Sequence, residues 1–91
     1  MKFSFTHQFK KDLVKLKKEY PKLPHKVFEL IFSIEENKNN PLSGIGKPEY
    51  LKGNLHGYYS RRVDEKHRLV YEILPDGNAQ IISCYGHYSD K

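Results

Sequence analysis

Apolar residues recur at helical spacing in the first half of the chain, and this pattern predicts two amphipathic helices. Their apolar positions are Phe9, Leu13, Leu16 and Tyr20 in the first helix and Val27, Leu30, Ile31 and Ile34 in the second. A short alternating run at 2–5 predicts a strand before them. Thr6 is placed to cap the first helix, which Pro21 ends. The second helix begins near Pro24 and ends in the polar segment 37–41. The short connection predicts a helical hairpin that covers one side of a sheet.

The pattern changes after Asn40 to a loop followed by strand-like runs. Glycine and proline are concentrated in the loop, which leads to Glu49. Because Gly44-Ile45-Gly46 opens no helix, it predicts a flexible loop and not a phosphate-binding fingerprint. The strand-like runs are 58–63, 67–74 and 79–88. The sequence therefore predicts one α+β domain over residues 1–91: a strand and a two-helix hairpin packed on a small, mainly antiparallel sheet.

The predicted hairpins bring polar side chains of the second half onto one face of the sheet. A turn at 64–66 places Arg62 opposite Arg68, and two opposed arginines repel each other unless an anion lies between them. The turn at Asp76-Gly77 predicts a second hairpin, in which Arg68 lies opposite Tyr85. His87 shares that face by the period of two. The opposite face, towards the helices, would carry Leu69, Tyr71, Ile73, Ile82 and Cys84.

Charge is unevenly distributed between the two halves of the chain. The formal net charge is +5 and the isoelectric point about 9.3, which favours an anionic partner. Residues 1–45 carry nine lysines against five acids, whereas residues 46–91 carry seven lysines and arginines against six acids, with all three arginines there. The first helix is therefore expected either to dock on an anionic surface or simply to be solvated. Its lysines are Lys10, Lys11, Lys15, Lys17 and Lys18.

The single cysteine, Cys84, excludes an internal disulfide framework. The N-terminus lacks the apolar run of a signal peptide, and no apolar stretch reaches the roughly 18 residues of a membrane span. A soluble, cytoplasmic protein with no membrane association is expected. Cys84 and His87 resemble half of a zinc site, but no second pair at ligand spacing accompanies them, so neither a metal nor another cofactor is expected.

A carboxylate, an arginine and a histidine can together cleave RNA without a metal. A base must take the proton of the ribose 2′-hydroxyl, cations must stabilise the charge on phosphorus, and an acid must protonate the departing 5′-oxygen. Glu49 lies where the loop meets a strand, a position that holds a side chain firmly. A non-catalytic module that binds RNA or protein through the same basic surface remains the alternative at this point.

Four sequence blocks resemble YoeB-type toxins of the RelE superfamily. They are GKPEYLK at 46–52, NLHGYYSRR at 54–62, EKHRLVY at 65–71 and the closing pair His87-Tyr88. The resemblance covers about 41–88, roughly half the chain, and the blocks occur in the order and spacing of the family. It implies a RelE-like fold and a bacterial toxin that cleaves messenger RNA in the A site of the 70S ribosome. It also implies inhibition by a cognate YefM-like antitoxin and a possible homodimer.

The resemblance also implies a role for each matching residue. Glu49 would be the general base, His87 the general acid, and Arg68 the group that stabilises the phosphorane. Lys52 and Arg62 would hold the phosphate.

Tyr88 would stack on the scissile nucleotide or orient it, again by resemblance. Two features depart from the family pattern near this residue. Gly86 replaces a bulkier residue before the histidine, and Ser89-Asp90-Lys91 extend the chain past the tyrosine. Both departures predict a looser C-terminal tail.

Overall fold

The computed structural model describes residues 1–86 and places two helices against one face of a five-stranded mixed sheet. In chain order the elements are β1 (Phe3–Phe5), α1 (His7–Glu19), α2 (Leu23–Glu36), β2 (Glu49–Tyr50), a 3-10 turn (Gly53–Leu55), β3 (Tyr58–Arg62), β4 (Arg68–Ile73) and β5 (Ala79–Ser83). The strand order is β1-β5-β4-β3-β2, in which β1 pairs with β5 in parallel and the other pairs are antiparallel. This architecture confirms the predicted α+β class.

Thr6 begins α1 and ties that helix to the sheet. Its hydroxyl oxygen accepts a hydrogen bond from the Phe9 N–H at 3.0 Å, which satisfies one of the free donors of the first turn. The same hydroxyl donates to the carbonyl of Ile82 at 2.6 Å. The predicted cap is therefore confirmed, and it also fixes the start of α1 beside β5.

The core fills the space between the helices and the sheet. The apolar side chains in it that are less than 2% exposed are Leu16, Val27, Leu30, Leu69, Tyr71, Ile81 and Cys84. Burying an aliphatic or aromatic side chain of this size stabilises a fold by about 1.5–3 kcal/mol. The members of this set that belong to the sheet face the helices, so the core lies on one face of the sheet only.

The hairpin predictions are confirmed in one place and wrong in another. Arg62 lies opposite Arg68 across β3 and β4, as predicted. Between β4 and β5, the register set at the turn pairs Tyr71 with Ile81, one residue from the predicted pairing with Ile82. Ile81 is therefore fully buried, whereas Ile82 is half-buried. The register then shifts at Val70/Tyr71, as at a bulge that inserts one extra residue, and Val70 pairs with Ser83.

Tyr85 also departs from its predicted place. It lies beyond the end of β5 and packs against α1, where its hydroxyl donates to the Glu19 carboxylate at 2.5 Å. Tyr85 therefore does not share a sheet face with Arg68, because the strand ends at Ser83 before the alternation can reach it.

The loop between α2 and β2 is hydrogen-bonded to side chains of α2 and β3, which its composition did not predict. Arg61, 1% exposed, faces the helix side and donates to the carbonyls of Pro41, Ser43 and Ile45 at 3.3, 2.8 and 2.8 Å. Gly44 has φ 102°, and a Cβ on it would lie 2.3 Å from the Ser33 Oγ. A glycine is therefore required by both the backbone conformation and the space.

Candidate active site

The sheet face that points away from the helices carries both arginines of the candidate site and Glu49. Glu49 pairs with Ser60 and Arg62 pairs with Arg68, so all of these side chains lie on one face of β2, β3 and β4. We call this surface, defined by Glu49, Arg62 and Arg68, the open face. Along β3, Ser60, the partner of Glu49, and Arg62, the partner of Arg68, are two residues apart. Strand spacing separates Glu49 from Arg68 by about 10 Å laterally, a gap that these long side chains can close on a phosphate.

The two arginines of the open face differ in how they are held. Arg68 is 6% exposed, and its Nη1 donates to the carbonyls of Asp64 and His67 at 2.8 and 3.1 Å. The Nε of Arg62 is buried and has no acceptor among residues 1–86. In the same residues, the only carboxylate within 4.0 Å of a cationic group is that of Glu35. No carboxylate of residues 1–86 therefore forms an ion pair with either arginine of the open face.

Glu49 and Lys52 line one shallow depression at the edge of the sheet, together with Tyr50 and Leu51. Both charged side chains are exposed. Lys52 follows β2 and precedes the 3-10 turn, so no strand register assigns it to the open face. Lys52 lies near Glu49 because both line this depression, and the hairpin pattern did not predict that position for Lys52.

His87 and Tyr88, the other two predicted site residues, lie outside the described residues. The chain that leads to them is held firmly. Gly86 donates its N–H to the Nδ1 of His67 at 2.8 Å, and its carbonyl accepts from the Arg68 N–H at 2.9 Å. The predicted loosening of the tail therefore does not extend to Gly86.

Sequence reasoning missed two residues that hold this segment, Asp12 and His67. Asp12 Oδ2 accepts from the N–H groups of Cys84 and Tyr85 at 3.0 and 3.3 Å. The hydrophobic pattern placed both residues on the core side. Asp12 occupies a core-facing position of α1, near Phe9 and Leu16, and His67 alternates with residues that face the helices. A polar residue at a position that the periodicity assigns to the core needs a partner, and that requirement could have identified them.

The lysines of α1 form an exposed surface beside the same segment. All five predicted lysines are exposed, and four of them line a single depression around Val14. These four are Lys10, Lys11, Lys15 and Lys18. The Nζ of Lys15 also lies 4.3 Å from the ring centre of Tyr85. We call this surface the lysine face. Through Lys15 it contacts Tyr85, the residue before Gly86.

Cys84 is fully buried, and its surroundings make it a poor nucleophile. Burial, and to a smaller extent the Asp12 carboxylate, raises the pKa of the Cys84 thiol to about 12. Within residues 1–86 no three histidine, cysteine or acidic side chains are grouped so that they could hold a metal ion. No helix in that range is long and apolar enough to cross a membrane.

Comparison with known proteins identifies the class first and then the family. The fold is that of small bacterial toxins: a YoeB/ParE toxin from Agrobacterium tumefaciens superimposes with a TM-score of 0.81 at 35% identity, over 97% of this chain and 100% of that chain. A YoeB–YefM heterotetramer from Staphylococcus aureus gives 0.78, and a YoeB dimer from that organism gives 0.79, each at 43% identity over 97% of this chain and 98% of the matched chain.

Sequence comparison agrees with the structural one. Toxin YoeB of Synechocystis sp. is 44% identical over 88 residues, which cover 97% of this chain and 98% of that protein. The family profile of the YoeB-like toxins of bacterial type II toxin-antitoxin systems matches residues 5–88. The chain belongs to this family.

Proposed function

We propose that this toxin is an endoribonuclease that cleaves messenger RNA in the ribosomal A site by attack of the internal 2′-hydroxyl. The observation that carries the proposal is the pairing of Arg62 with Arg68 on the open face. Two opposed cations destabilise a sheet unless an anion lies between them. A phosphodiester is such an anion, and Glu49 on the same face is the base that its cleavage needs.

In the proposed reaction the Glu49 carboxylate accepts the proton of the 2′-hydroxyl. The 2′-oxygen then attacks phosphorus, and the bond from phosphorus to the 5′-oxygen breaks. His87, as imidazolium, donates its proton to that 5′-oxygen. The products are a 2′,3′-cyclic phosphate and a 5′-hydroxyl, so no metal-bound water enters the balance.

The cations have separate tasks in this scheme. Two carbonyls anchor Nη1 of Arg68, which preorganises its guanidinium for the charge that develops on phosphorus. Arg62 brings a buried Nε donor without an acceptor in residues 1–86. Lys52, beside Glu49, supplies a third positive charge for the phosphate, and Tyr88 stacks on the scissile nucleotide.

The lysine face supports docking on the ribosome. Positioning of the reacting groups can supply roughly 7–11 kcal/mol of a barrier. A chain of 91 residues offers little length for a groove that aligns free RNA. An ordered message in the A site removes that requirement, and the phosphates of ribosomal RNA offer partners to exposed lysines. Action on ribosomes places the protein in the cytoplasm.

We also propose a YefM-like antitoxin as the inhibitor and a homodimer as a possible assembly. The solved relatives from Staphylococcus aureus, a complex with YefM and a dimer, support both parts of the proposal. A cationic open face is suited to an acidic segment that folds on binding. Such a segment would neutralise Arg62 and Arg68 and cover Glu49.

The test is single-turnover cleavage of a message on purified ribosomes. Arg68→Ala and His87→Ala should each slow cleavage by about 10²–10³, the usual effect of removing one preorganised donor to a developing charge. Glu49→Gln should be as slow as Glu49→Ala, because an amide cannot accept the proton. Cleavage should persist in EDTA and stop when the scissile nucleotide lacks its 2′-hydroxyl.

Glu72→Gln is the matched control for Glu49→Gln. Glu72 lies on the same sheet face, but it pairs with Tyr58, four residues along β4 from Arg68. Its variant should cleave at the wild-type rate. Products with a 5′-phosphate would overturn the proposed mechanism. A protein that binds ribosomes without cutting the message would instead be the non-catalytic binding module.

A further inference from the structure

Side chains, and not a neighbouring strand, hold three consecutive main-chain N–H groups after β5. Asp12 Oδ2 accepts from Cys84 and Tyr85 at 3.0 and 3.3 Å, and His67 Nδ1 accepts from Gly86 at 2.8 Å. A strand that continued past Ser83 would give such donors to a ladder partner. Here α1 and the end of the β3–β4 turn supply the acceptors, so these two elements determine the path of the chain.

Packing alone does not explain His67. Its ring is fully buried, with ring centres 5.3 Å from Tyr20 and 4.5 Å from Tyr85. Because Nδ1 accepts a hydrogen bond, the hydrogen-bond network assigns the proton of the neutral ring to Nε2. That buried Nε2 has no acceptor among residues 1–86. An unpaired buried donor destabilises a fold, so phenylalanine would serve better if the ring only filled space.

Asp12 is similarly committed to the segment. It is 8% exposed, and both of its oxygens are occupied, since Oδ1 accepts from the Gln8 side chain at 2.7 Å. A carboxylate accepts hydrogen bonds from backbone N–H groups more strongly than a neutral group does. Asp12 therefore fixes Cys84 and Tyr85, while Tyr85 is held a second time through Glu19.

We propose that Asp12 and His67 are positioning residues that determine where the chain enters position 87. This inference rests on the proposed function, because His87 follows Gly86 by one peptide bond and is the proposed acid. Gly86 has φ 82°, a conformation that glycine adopts readily, and its carbonyl is held by the Arg68 N–H. The anchored backbone thus holds Gly86, one peptide bond before position 87, at a fixed point next to the arginine of the open face.

Two substitutions of His67 separate its acceptor from its packing. His67→Phe keeps a ring between the two tyrosines and removes the acceptor. His67→Asn removes the ring but returns an acceptor oxygen near the position of Nδ1. A misplacement of about 1 Å can slow a reaction about 10²-fold, so His67→Phe should lose about that factor in single-turnover cleavage. His67→Asn should recover most of it, and Asp12→Asn should likewise be faster than Asp12→Leu.

A double-mutant cycle tests whether His67 acts through His87. If it does, His67→Phe combined with His87→Ala should be no slower than His87→Ala alone. Losses that multiply would overturn the inference and leave the proposed function intact. A wild-type protein that does not cleave, or a His87→Ala variant at the wild-type rate, would instead refute the proposed function.

Hydrogen exchange of the Gly86 amide gives a reading that does not depend on activity. The amide should exchange slowly in the wild type, faster in His67→Phe, and slowly again in His67→Asn. Free exchange in the wild type would overturn the anchoring whatever the cleavage rates. Because this measurement needs only the unaltered protein, the inference remains testable even if a variant fails to fold.

Discussion

Replacing Arg61 with methionine should destabilise the protein strongly. The substitution keeps the apolar stem and removes a guanidinium that is 1% exposed. Its partners besides the loop carbonyls are the hydroxyls of Tyr71 and Ser33, at 3.0 and 3.1 Å. None of these five partners is a carboxylate. The buried charge is therefore stabilised by neutral acceptors alone, which lose their donor in the variant.

The magnitude follows from the type and the burial of these contacts. A hydrogen bond to a charged group contributes about 1.5–3 kcal/mol. Five such bonds, if additive, would rival the whole stability of a domain of this length, roughly 5–14 kcal/mol. The cost of dehydrating the guanidinium offsets much of that sum, and each buried acceptor that is left without a donor costs about 1–3 kcal/mol. The loop carbonyls can be rehydrated, so the two hydroxyls account for most of the loss, and about 3 kcal/mol is expected.

Urea unfolding followed by circular dichroism measures this difference, and Arg62→Met is the matched control. Arg62 is the next residue on β3 but lies on the open face, so its variant should lose less than about 1 kcal/mol while cleavage falls. In thermal unfolding, Arg61→Met should melt about 12–24 °C lower. Equal unfolding free energies for the two variants would refute the assignment of Arg61 to structure and of Arg62 to chemistry.

Two further predictions concern Tyr85 and the lysine face. Donation of the Tyr85 hydroxyl to the Glu19 carboxylate raises the pKa of Tyr85 to about 12, so this contact stabilises the fold fully below pH ~10 and is lost as the pH rises through about 12. Glu19→Gln should lower that pKa in an ultraviolet titration corrected with Tyr85→Phe; an unchanged pKa would contradict the contact. Cleavage on ribosomes should weaken steeply as the salt concentration rises, because contacts between lysines and phosphates are electrostatic. Reversing the charge of three lysines of the lysine face should strongly slow cleavage on ribosomes and leave the cleavage rate of free RNA almost unchanged. The variant is K10E/K11E/K18E, and the charge-matched control is K22E/K26E/K38E. Equal losses on both substrates would refute docking.

The fold was predictable because its helices and one hairpin are encoded locally. Helical spacing, the Thr6 cap and the position of Pro24 are enough to define α1 and α2. The short turn between Arg62 and Arg68 fixes the register of β3 and β4, so the arginine pair of the open face also followed from the sequence. The roles of Glu49 and His87, in contrast, came from resemblance and stay predictions.

The remaining features depend on contacts that are distant in sequence. Near the second turn Tyr71 lies opposite Ile81, one residue from the pairing that the turn at Asp76-Gly77 predicts, and the shift at Val70/Tyr71 then brings Val70 opposite Ser83. A prediction from the turn alone assumes one uniform register and cannot contain such a shift. The end of β5 depends on Asp12, which lies 72 residues before Cys84. The packed loop depends on Arg61, whose sequence separation from Ser33 is 28 residues. The alternation of side chains along β3 could have placed Arg61 on the helix side, but it could not have identified the groups that Arg61 contacts.

Buried polar residues on the helix side of the sheet determine the geometry of the open face. Arg61 fixes the loop, and the Gly46 carbonyl at its end accepts from the Arg62 N–H at 2.6 Å, so the chain enters β2 and reaches Glu49 from a fixed position. Asp12 and His67 perform the same task for the segment that leads to position 87. The proposed base and acid thus come from chain segments anchored by buried polar groups outside the open face. If the proposed assignment holds, a substitution in those anchors is expected to change the distance between the two groups, although none of the anchors lies on the open face.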